Sequence, residues 1–218
     1  MLRRMLLFLS VALLATTNVG YAVRPAAELL PEDTVGFVSI PNPDALVKGW
    51  QKTQFGQLLS HPQMRPFLKD LQAQLQSQFG EVGLPANFTL VELQNAFEGE
   101  VCLASVQPDG DVAQHAIVMI ADITGHREEA ETLLRKVEQR LSEQGAEKST
   151  TAVQGIAVSH FTLPGTEKNK QATEILFFLH NDQLVASDHV EVLKKIIGRI
   201  QGSETKSLAQ LVAYQAVQ

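Results

Sequence analysis

Three tight-turn signals constrain this chain most, because each lies between two apolar runs that must then pair as antiparallel strands. A two-residue hairpin turn needs positive φ angles, which Gly, Asn and Asp adopt at little cost. The signals are Asp109-Gly110, Gln154-Gly155 and Asn181-Asp182. The flanking runs predict strand pairs at 99–107 with 112–123, at 147–153 with 156–163, and at 174–180 with 183–187.

One more strand is predicted near the N-terminus, over Thr34–Ile40, which is rich in β-branched and aromatic residues. Pro41 and Pro43 end it, because proline donates no hydrogen bond to a strand ladder. The run Ala116–Ile123 is apolar at consecutive positions. A strand that is apolar on both sides is typical of the centre of a sheet, and we place it there.

Apolar residues at spacings of three and four predict helices between the strands. Asp188 and Glu191 resemble a capping box at the start of the last one, and Gly202 is a stop signal. The fold class is therefore α+β, with a mostly antiparallel sheet built from hairpins and helices packed on one face. The predicted helices lie at about 42–52, 55–59, 66–79, 126–144 and 189–201, with one or two turns possible at 89–96.

Residues 1–22 have the pattern of an export signal. Arg3 and Arg4 precede an apolar run over 6–15, and a small-x-small triplet ends at Ala22. A membrane-spanning helix needs roughly 20 apolar residues, and polar residues stop this run earlier. We therefore predict cleavage near Ala22 and a periplasmic or extracellular mature protein. An uncleaved N-terminal anchor remains the alternative.

Charge excludes one class of partner. Removing the 22 residues of the signal from 218 leaves 196, and losing two arginines changes the net charge from −6 to −8. A general nucleic-acid binder needs a basic surface to displace counterions from phosphates, so no nucleic acid is expected as a partner. The only cysteine, Cys102, cannot form an internal disulfide. It lies in a strand-like run, which indicates a buried apolar thiol rather than a catalytic thiolate.

The chain divides into a signal at 1–22, one α+β domain at 23–202 and a short segment at 203–218. That last segment begins a fresh apolar pattern that stops at Gln218, so we expect the start of a further helical segment in a truncated chain. Phe55–Leu59 and Leu208–Val212 also match loosely, as two halves of a repeat would.

No motif predicts a catalytic, cofactor-binding or metal site. The patterns GxGxxG, GxxxxGK[ST], GxSxG and HExxH do not occur. The six histidines form no HxH or i, i+4 pair. His180, Asp182, Asp188 and His189 could meet and offer mixed nitrogen and oxygen ligands. The simpler interpretation is a turn, a cap and surface residues, and we predict no metal and no cofactor.

Three other polar patterns have ordinary interpretations. Asp109 and Asp111 flank a glycine as in a calcium loop, but the other ligands of such a loop are missing, which favours a turn. Asn87 begins a glycosylation sequon, which matters only in a eukaryotic export pathway. Glu98 and Glu100 are indistinguishable from solvated strand ends.

One stretch resembles a known family. Its residues are LLPEDTVGFVSIPNPDAL at 29–46, TQFGQLL at 53–59 and HPQMRPF at 61–67. They resemble the opening of a family of large exported bacterial proteins of unknown function, with an LP-x-D-T strand entry and a T-x-x-G-x-L-L-x-x-P helical segment. The family has no assigned activity, so the resemblance assigns no residue a role. Its members are longer, which implies truncation here.

Three hypotheses about function follow. The leading one is an exported, non-enzymatic cell-envelope or periplasmic domain that acts through protein or surface interactions. Its partner would be an unknown envelope or extracellular protein, with membrane contact only through the signal segment before cleavage. The first alternative is an apolar-ligand or lipid-binding module, suggested by the run at 116–123 and by Phe177-Phe178. The second is a hydrolase with an unrecognised site, such as Ser159 or Ser187 near His160 or His189.

Overall fold

A computed structural model describes residues 23–79, 96–97, 99–165 and 172–217. The predicted export signal, the loop predicted at 80–88, the sequon at Asn87 and residue Glu98 all lie outside these ranges. Within the described part of the chain, no helix combines the length and apolar character needed to cross a membrane.

The described strands form one antiparallel sheet of seven. Its order is β1-β2-β3-β7-β6-β5-β4, which makes β3 an interior strand, as the apolar run at 116–123 predicts. The strands are β1 Thr34–Ile40, β2 Val101–Val106, β3 Ala116–Asp122, β4 Glu147–Val153, β5 Ile156–Leu163, β6 Thr173–His180 and β7 Gln183–Ser187.

All three predicted strand pairs are confirmed, and two of them have the expected two-residue turn. Gln154 and Gly155 have φ angles of 48° and 82°, and Asn181 and Asp182 have angles of 45° and 58°. Successive positive φ values bring the strands back with the right-handed twist that a sheet requires. The connection from β2 to β3 is wider than predicted, because a 3₁₀ turn at Pro108–Gly110 and residues 111–115 separate the two strands.

The five helices predicted at 42–52, 55–59, 66–79, 126–144 and 189–201 are present, with ends within one or two residues of the expected positions, while the turns predicted at 89–96 lie almost wholly outside the described residues. Asn42 and Asp44 are both candidate caps of the second helix by residue type, and the structure selects Asn42, whose side chain accepts a 2.7 Å hydrogen bond from the amide of Ala45. The helices are α1 Ala26–Leu29, α2 Pro43–Lys52, α3 Gln54–Ser60, α4 Arg65–Phe79, α5 Arg127–Glu143, α6 Val190–Ile200 and α7 Val212–Gln215, with 3₁₀ turns at Pro62–Met64 and Leu208–Gln210.

The capping box predicted for α6 is wrong. His189 occupies the N-cap position and makes no side-chain capping bond. The Asp188 carboxylate instead accepts a 2.8 Å hydrogen bond from the amide of Ile117 in β3, and the Asp188 amide donates to the Ile117 carbonyl. Asp188 therefore continues the pairing of β7 with β3 by one step, and this long-range contact outweighs the local cap.

The helices cover both faces of the sheet, rather than the single face expected, while the α+β class itself is confirmed. On one face, Leu193 and Ile196 of α6 pack with Val118 and Val185. On the other, α5 packs against a separate cluster that includes Phe161. Strands β3, β6 and β7 carry apolar side chains on both faces, so each face needs its own helix to exclude water.

The first residues of the C-terminal segment fold back onto the domain. The buried Arg199 guanidinium donates to the carbonyls of Lys206, at 2.6 Å, and Lys195, at 2.8 Å. The Leu208 amide donates to the Leu30 carbonyl at 2.9 Å, and the Leu208 side chain lies in the core beside α1. A buried guanidinium without hydrogen-bond acceptors would cost free energy of folding. Because the Lys206 carbonyl is one of the acceptors of Arg199, this bond fixes the path of the segment at 203–208.

Candidate interaction surface

The four residues considered as metal ligands do not come together. His180 and Asp182 lie at one end of β7, and Asp188 and His189 lie at the other. Six residues of extended chain separate the two acids, which corresponds to about 20 Å. Among the described residues, no three His, Cys, Asp or Glu side chains are grouped closely enough to hold a metal ion.

The serine and histidine pairs considered for a hydrolase are also kept apart. Ser159 and His160 are neighbours in β5, so their side chains lie on opposite faces of the sheet. The Ser187 hydroxyl accepts a 3.1 Å hydrogen bond from the backbone amide of His189, not from its imidazole. The His160 imidazole lies 3.7 Å from a Glu174 carboxylate oxygen. The Ser187 hydroxyl therefore holds the backbone at His189, and His160 pairs with Glu174 of the neighbouring strand β6; neither contact joins a serine hydroxyl to an imidazole.

Cys102 is a buried thiol, as predicted. It is 1% exposed, on the face of the sheet that α6 covers. Burial, with a smaller effect from the charge of Glu100, raises the pKa of this thiol to about 12. A thiol with so high a pKa carries almost no thiolate at neutral pH and is therefore a packing residue.

Two carboxylates thought to be ordinary have structural roles that depend on distant residues. Glu100 accepts a hydrogen bond from the Ser39 hydroxyl and a 2.8 Å bond from the Ala26 amide, so it joins β1 to α1. Asp109 forms the turn that was predicted, with φ 56°. Its carboxylate also accepts a 2.8 Å hydrogen bond from Lys195, which lies 3.3 Å from Asp33.

The Lys195 contacts shift two pKa values. The hydrogen bond from Lys195, and then its charge, hold the pKa of the Asp109 carboxyl below its usual value. Burial alone would lower the pKa of Lys195, but the bond to Asp109 and the charge of Asp33 outweigh burial and raise it. The three residues join the turn after β2, the residue before β1 and α6. The sequence separations of 76 to 162 residues hide this arrangement from local patterns.

A groove of about 310 Å³ lies between α5 and strands β5 and β6. Leu134 and Phe177 supply apolar lining, while Glu131, Arg135 and Glu138 lie around it. This volume is at the lower limit of small-molecule pockets. The Phe177 ring is 4% exposed and stacks on Phe161 with ring centroids 5.7 Å apart, so its principal contact is with the core.

The most unusual surface belongs to helices α2, α3 and α4. Among the residues of 43–74 whose burial the structure describes, only Gly56 is buried. Six large apolar side chains of these helices are each 40–56% exposed: Leu46, Trp50, Phe55, Leu58, Phe67 and Leu71. Single exposed apolar residues are common, but a group of this size in one segment indicates a binding surface. We call these six residues the apolar surface of α2–α4.

The apolar surface of α2–α4 follows helical spacing. Leu46 and Trp50 are four residues apart in α2, so they share one side of that helix. The Trp50 indole meets the Phe55 ring edge-on, at 5.5 Å between ring centroids, and thereby connects α2 with α3. Phe67 and Leu71 repeat the four-residue spacing in α4. Both of these side chains are exposed rather than buried.

Two features of the sequence produce the corner between α2 and α3. Thr53 accepts a 3.0 Å hydrogen bond from the Gly56 amide and caps α3. A Cβ atom at position 56 would lie 2.0 Å from the Trp50 carbonyl oxygen, so only glycine permits the close approach of the two helices. The corner holds Trp50 at the surface.

A second exposed apolar pair lies at the neighbouring edge of the sheet. Val38 of β1 is paired directly with Leu103 of β2, and both side chains are largely exposed. β1 is an edge strand without a charged residue, whereas the other edge strand, β4, begins with Glu147 and Lys148 and continues with serine and threonine. Charged edge strands resist pairing with other chains, so β1 is the less protected edge.

Comparison with known proteins identifies the family of the chain. The family model described as Protein of unknown function (DUF3352) matches residues 5–218. No curated protein and no solved structure matches the chain significantly. The expectation of a family of unknown function is thus confirmed.

Proposed function

The chain belongs to the DUF3352 family of proteins of unknown function, and we propose that it is an exported, non-enzymatic domain of the cell envelope that acts by binding. The apolar surface of α2–α4 is the binding surface. The observation that carries this proposal is the exposure of six large apolar side chains in a molecule whose sheet is otherwise covered by helices on both faces.

The burial pattern supports a dedicated surface rather than an incomplete core. The core residues of the sheet, such as Val118, Val185 and Ile197, have no exposed area. A half-exposed aromatic ring leaves roughly 100 Å² of apolar area in water, half of what it buries in a core. Trp50, Phe55 and Phe67 together therefore carry a few hundred Å² that binding would remove from water.

The polar residues that could have served catalysis support the non-enzymatic part of the proposal. Ser187 bonds to the backbone of His189, Asp188 bonds to the Ile117 amide, and Glu100 joins α1 to β1. Each of these groups is engaged in holding the backbone. Support for export is the signal pattern of residues 1–22.

Expression of the full chain in a bacterial host tests the proposal. We expect the exported chain to start after Ala22, by mass spectrometry, and to sediment with the envelope fraction. The variant L46S/L58S/F67S/L71S should be released into the soluble fraction. Because these side chains are exposed, the substitutions should alter the free energy of unfolding by less than about 1 kcal/mol.

A matched control keeps the number of removed apolar groups comparable. Val112, Val212 and Val217 are 76–81% exposed and lie outside α2–α4. The variant V112S/V212S/V217S should remain with the envelope. Equal envelope association of all three proteins would contradict the role assigned to α2–α4. An intact residue 1 after secretion, or retention in the cytoplasm, would contradict cleavage and export respectively.

A further inference from the structure

We propose that the apolar surface of α2–α4 binds an anionic phospholipid membrane. This inference rests on the proposed function, because it names the partner of the same surface. It extends membrane contact beyond the signal segment, to which the sequence alone assigns it.

The second helix has the two-sided composition of a helix that lies in a membrane interface. Leu46 and Trp50 share one side, while Lys48 and Lys52 lie about 200° around the helix axis. Interfacial helices place Trp, Phe and Leu among the lipid headgroups and the upper acyl chains, and keep lysines on the polar side. The long lysine side chains can then reach the headgroup phosphates from that side.

Helix α4 repeats the arrangement. Arg65 and Lys69 are four residues apart and share one side, and Phe67 and Leu71 share another. Phe55 and Leu58, on the short helix between, are three residues apart and add apolar area next to Trp50. Three consecutive helices therefore present apolar side chains. Two of them, α2 and α4, also carry two basic residues each on a different side of the helix.

Charge complementarity selects an anionic surface as the occupant. Residues 43–79 contain four basic and two acidic side chains, a net charge of +2 in a chain of net charge −6. Lys52, Arg65 and Lys69 make no ion pair within the described part of the chain, whereas Lys48 lies 3.6 Å from Asp44. Each cation near an anionic membrane contributes about 1 kcal/mol. The remaining acidic surface would be repelled, which orients the molecule with α2–α4 toward the lipid.

The aromatic residues favour lipid over an acidic protein partner. Trp and Phe rings are enriched at the membrane–water interface, where part of the ring meets the acyl chains and part remains hydrated. The half-exposed Trp50, Phe55 and Phe67 lie on three separate helices, and none of them lines the groove beside α5. Rings that are half exposed on three helices suit a deformable bilayer better than they suit the preformed pocket in which a protein anchor residue is buried.

Trp50 makes a direct test possible, because it is the only tryptophan of the chain. The full chain is titrated with vesicles of phosphatidylglycerol and phosphatidylethanolamine, and separately with vesicles of phosphatidylcholine. We expect the anionic vesicles to shift the emission to shorter wavelength and brominated acyl chains to quench it. Raising the salt from about 0.05 to about 0.5 M should largely abolish the shift. At the higher concentration, the Debye length becomes shorter than the distance between the basic side chains of α2–α4 and the headgroup phosphates.

Two variants of equal charge test the assigned cations. The variant K48Q/K52Q/R65Q/K69Q should bind the anionic vesicles at least about tenfold more weakly. The control R127Q/K148Q/K194Q/K206Q removes four cations from other parts of the surface, where each has an acidic partner, and should bind as the wild type does. The N-terminal segment is identical in all three proteins, so a difference between them arises from α2–α4.

The outcomes separate this inference from the function on which it rests. An unchanged Trp50 emission with every vesicle, or equal binding to neutral and anionic vesicles, overturns the membrane inference. If the serine variant described above still loses its envelope association in that case, the proposed function stands and the partner is a protein. If neither vesicle binding nor envelope association depends on α2–α4, both proposals are wrong.

Discussion

The Trp50 indole contacts the Phe55 ring edge-on, with an interplanar angle of 89°, although both side chains are about half exposed. Edge-to-face pairs add about 0.5–1.5 kcal/mol to simple burial, so the pair helps to fix the angle between α2 and α3. Gly56 permits this contact, since a larger residue would collide with the Trp50 backbone. This exposed aromatic pair is thus held in a defined geometry.

Replacing Gly56 by alanine should open the corner between α2 and α3. The added Cβ would lie 2.0 Å from the Trp50 carbonyl oxygen, which the helices can avoid only by moving apart. We expect a lower near-ultraviolet circular dichroism signal from Trp50 and lower anisotropy of its fluorescence. Gly49→Ala is the control: nothing lies within 4 Å of its Cβ, and the substitution should stabilise α2 by about 0.5–1 kcal/mol. Identical spectra for both variants would contradict this account.

Cys102 should be inert in the folded protein. Because its thiol is buried and its pKa is raised, native protein at pH 8 should react with a thiol-specific chromophore far more slowly than protein in guanidinium chloride. Counting the modified thiols over an hour checks this. Complete modification of native protein within minutes would show that Cys102 is accessible.

The same thiol should make the free energy of unfolding fall with increasing pH in the alkaline range. The unfolded thiol loses its proton near pH 9.0, while the folded thiol keeps it until about pH 12. The contribution of Cys102 to stability is therefore fully present below pH 9 and decreases as the pH rises toward 12. The melting temperature of the wild type should fall relative to that of Cys102→Ala between pH 9 and 11. Parallel curves for the two proteins would refute the shift.

Arg199 should be needed to hold the segment at 203–208. Arg199→Met removes the donors to the carbonyls of Lys206 and Lys195, and should cost about 2–4 kcal/mol. Hydrogen exchange should accelerate at Leu208, whose amide bonds to Leu30. Lys194→Met, on the exposed side of the same helix, should change stability by less than about 0.5 kcal/mol. Comparable losses in both variants would argue against a special role for the buried guanidinium.

Asp109 should stabilise the protein only when it is ionised. Its pKa is lowered in the folded state by Lys195, so its contribution is present above the unfolded value of 3.8 and is lost as the pH falls through the lowered value. Asp109→Asn should therefore reduce the melting temperature at pH 6 and have a smaller effect at pH 2. Asp111→Asn, whose acid bonds only within its own turn, is the control. A pH-independent effect of Asp109→Asn would contradict the ion pair.

The backbone of the sheet could be predicted from local chemistry. Gln154-Gly155 and Asn181-Asp182 adopt the positive φ values that their side chains tolerate, and the hairpins on either side follow. Helix α5 begins and ends within one residue of the prediction, because its apolar spacing and its acidic first turn act over a few residues. These features depend on neighbours in sequence, and one sequence is enough to show them.

The candidate surface could be predicted only in part. The spacing of Phe67 and Leu71 shows that α4 has an apolar side, but spacing does not reveal what covers that side. The glycine at position 56 and the tryptophan at position 50 are visible in the sequence, yet their contact depends on the turn between two helices. Exposure is a property of the assembled chain, so no local signal could have identified this surface.

The sequence alone determined where strands and helices form, that Cys102 is buried, and that the strands pair as antiparallel hairpins. Only the tertiary structure decided that helices cover both faces, that Asp188 bonds to Ile117, and that Lys195 joins residues up to 162 positions away. Turns and helix periods arise from steric limits on adjacent residues. Coverage, ion pairing and exposure arise from contacts between segments, and the free energy of those contacts exists only once the chain has brought the segments together.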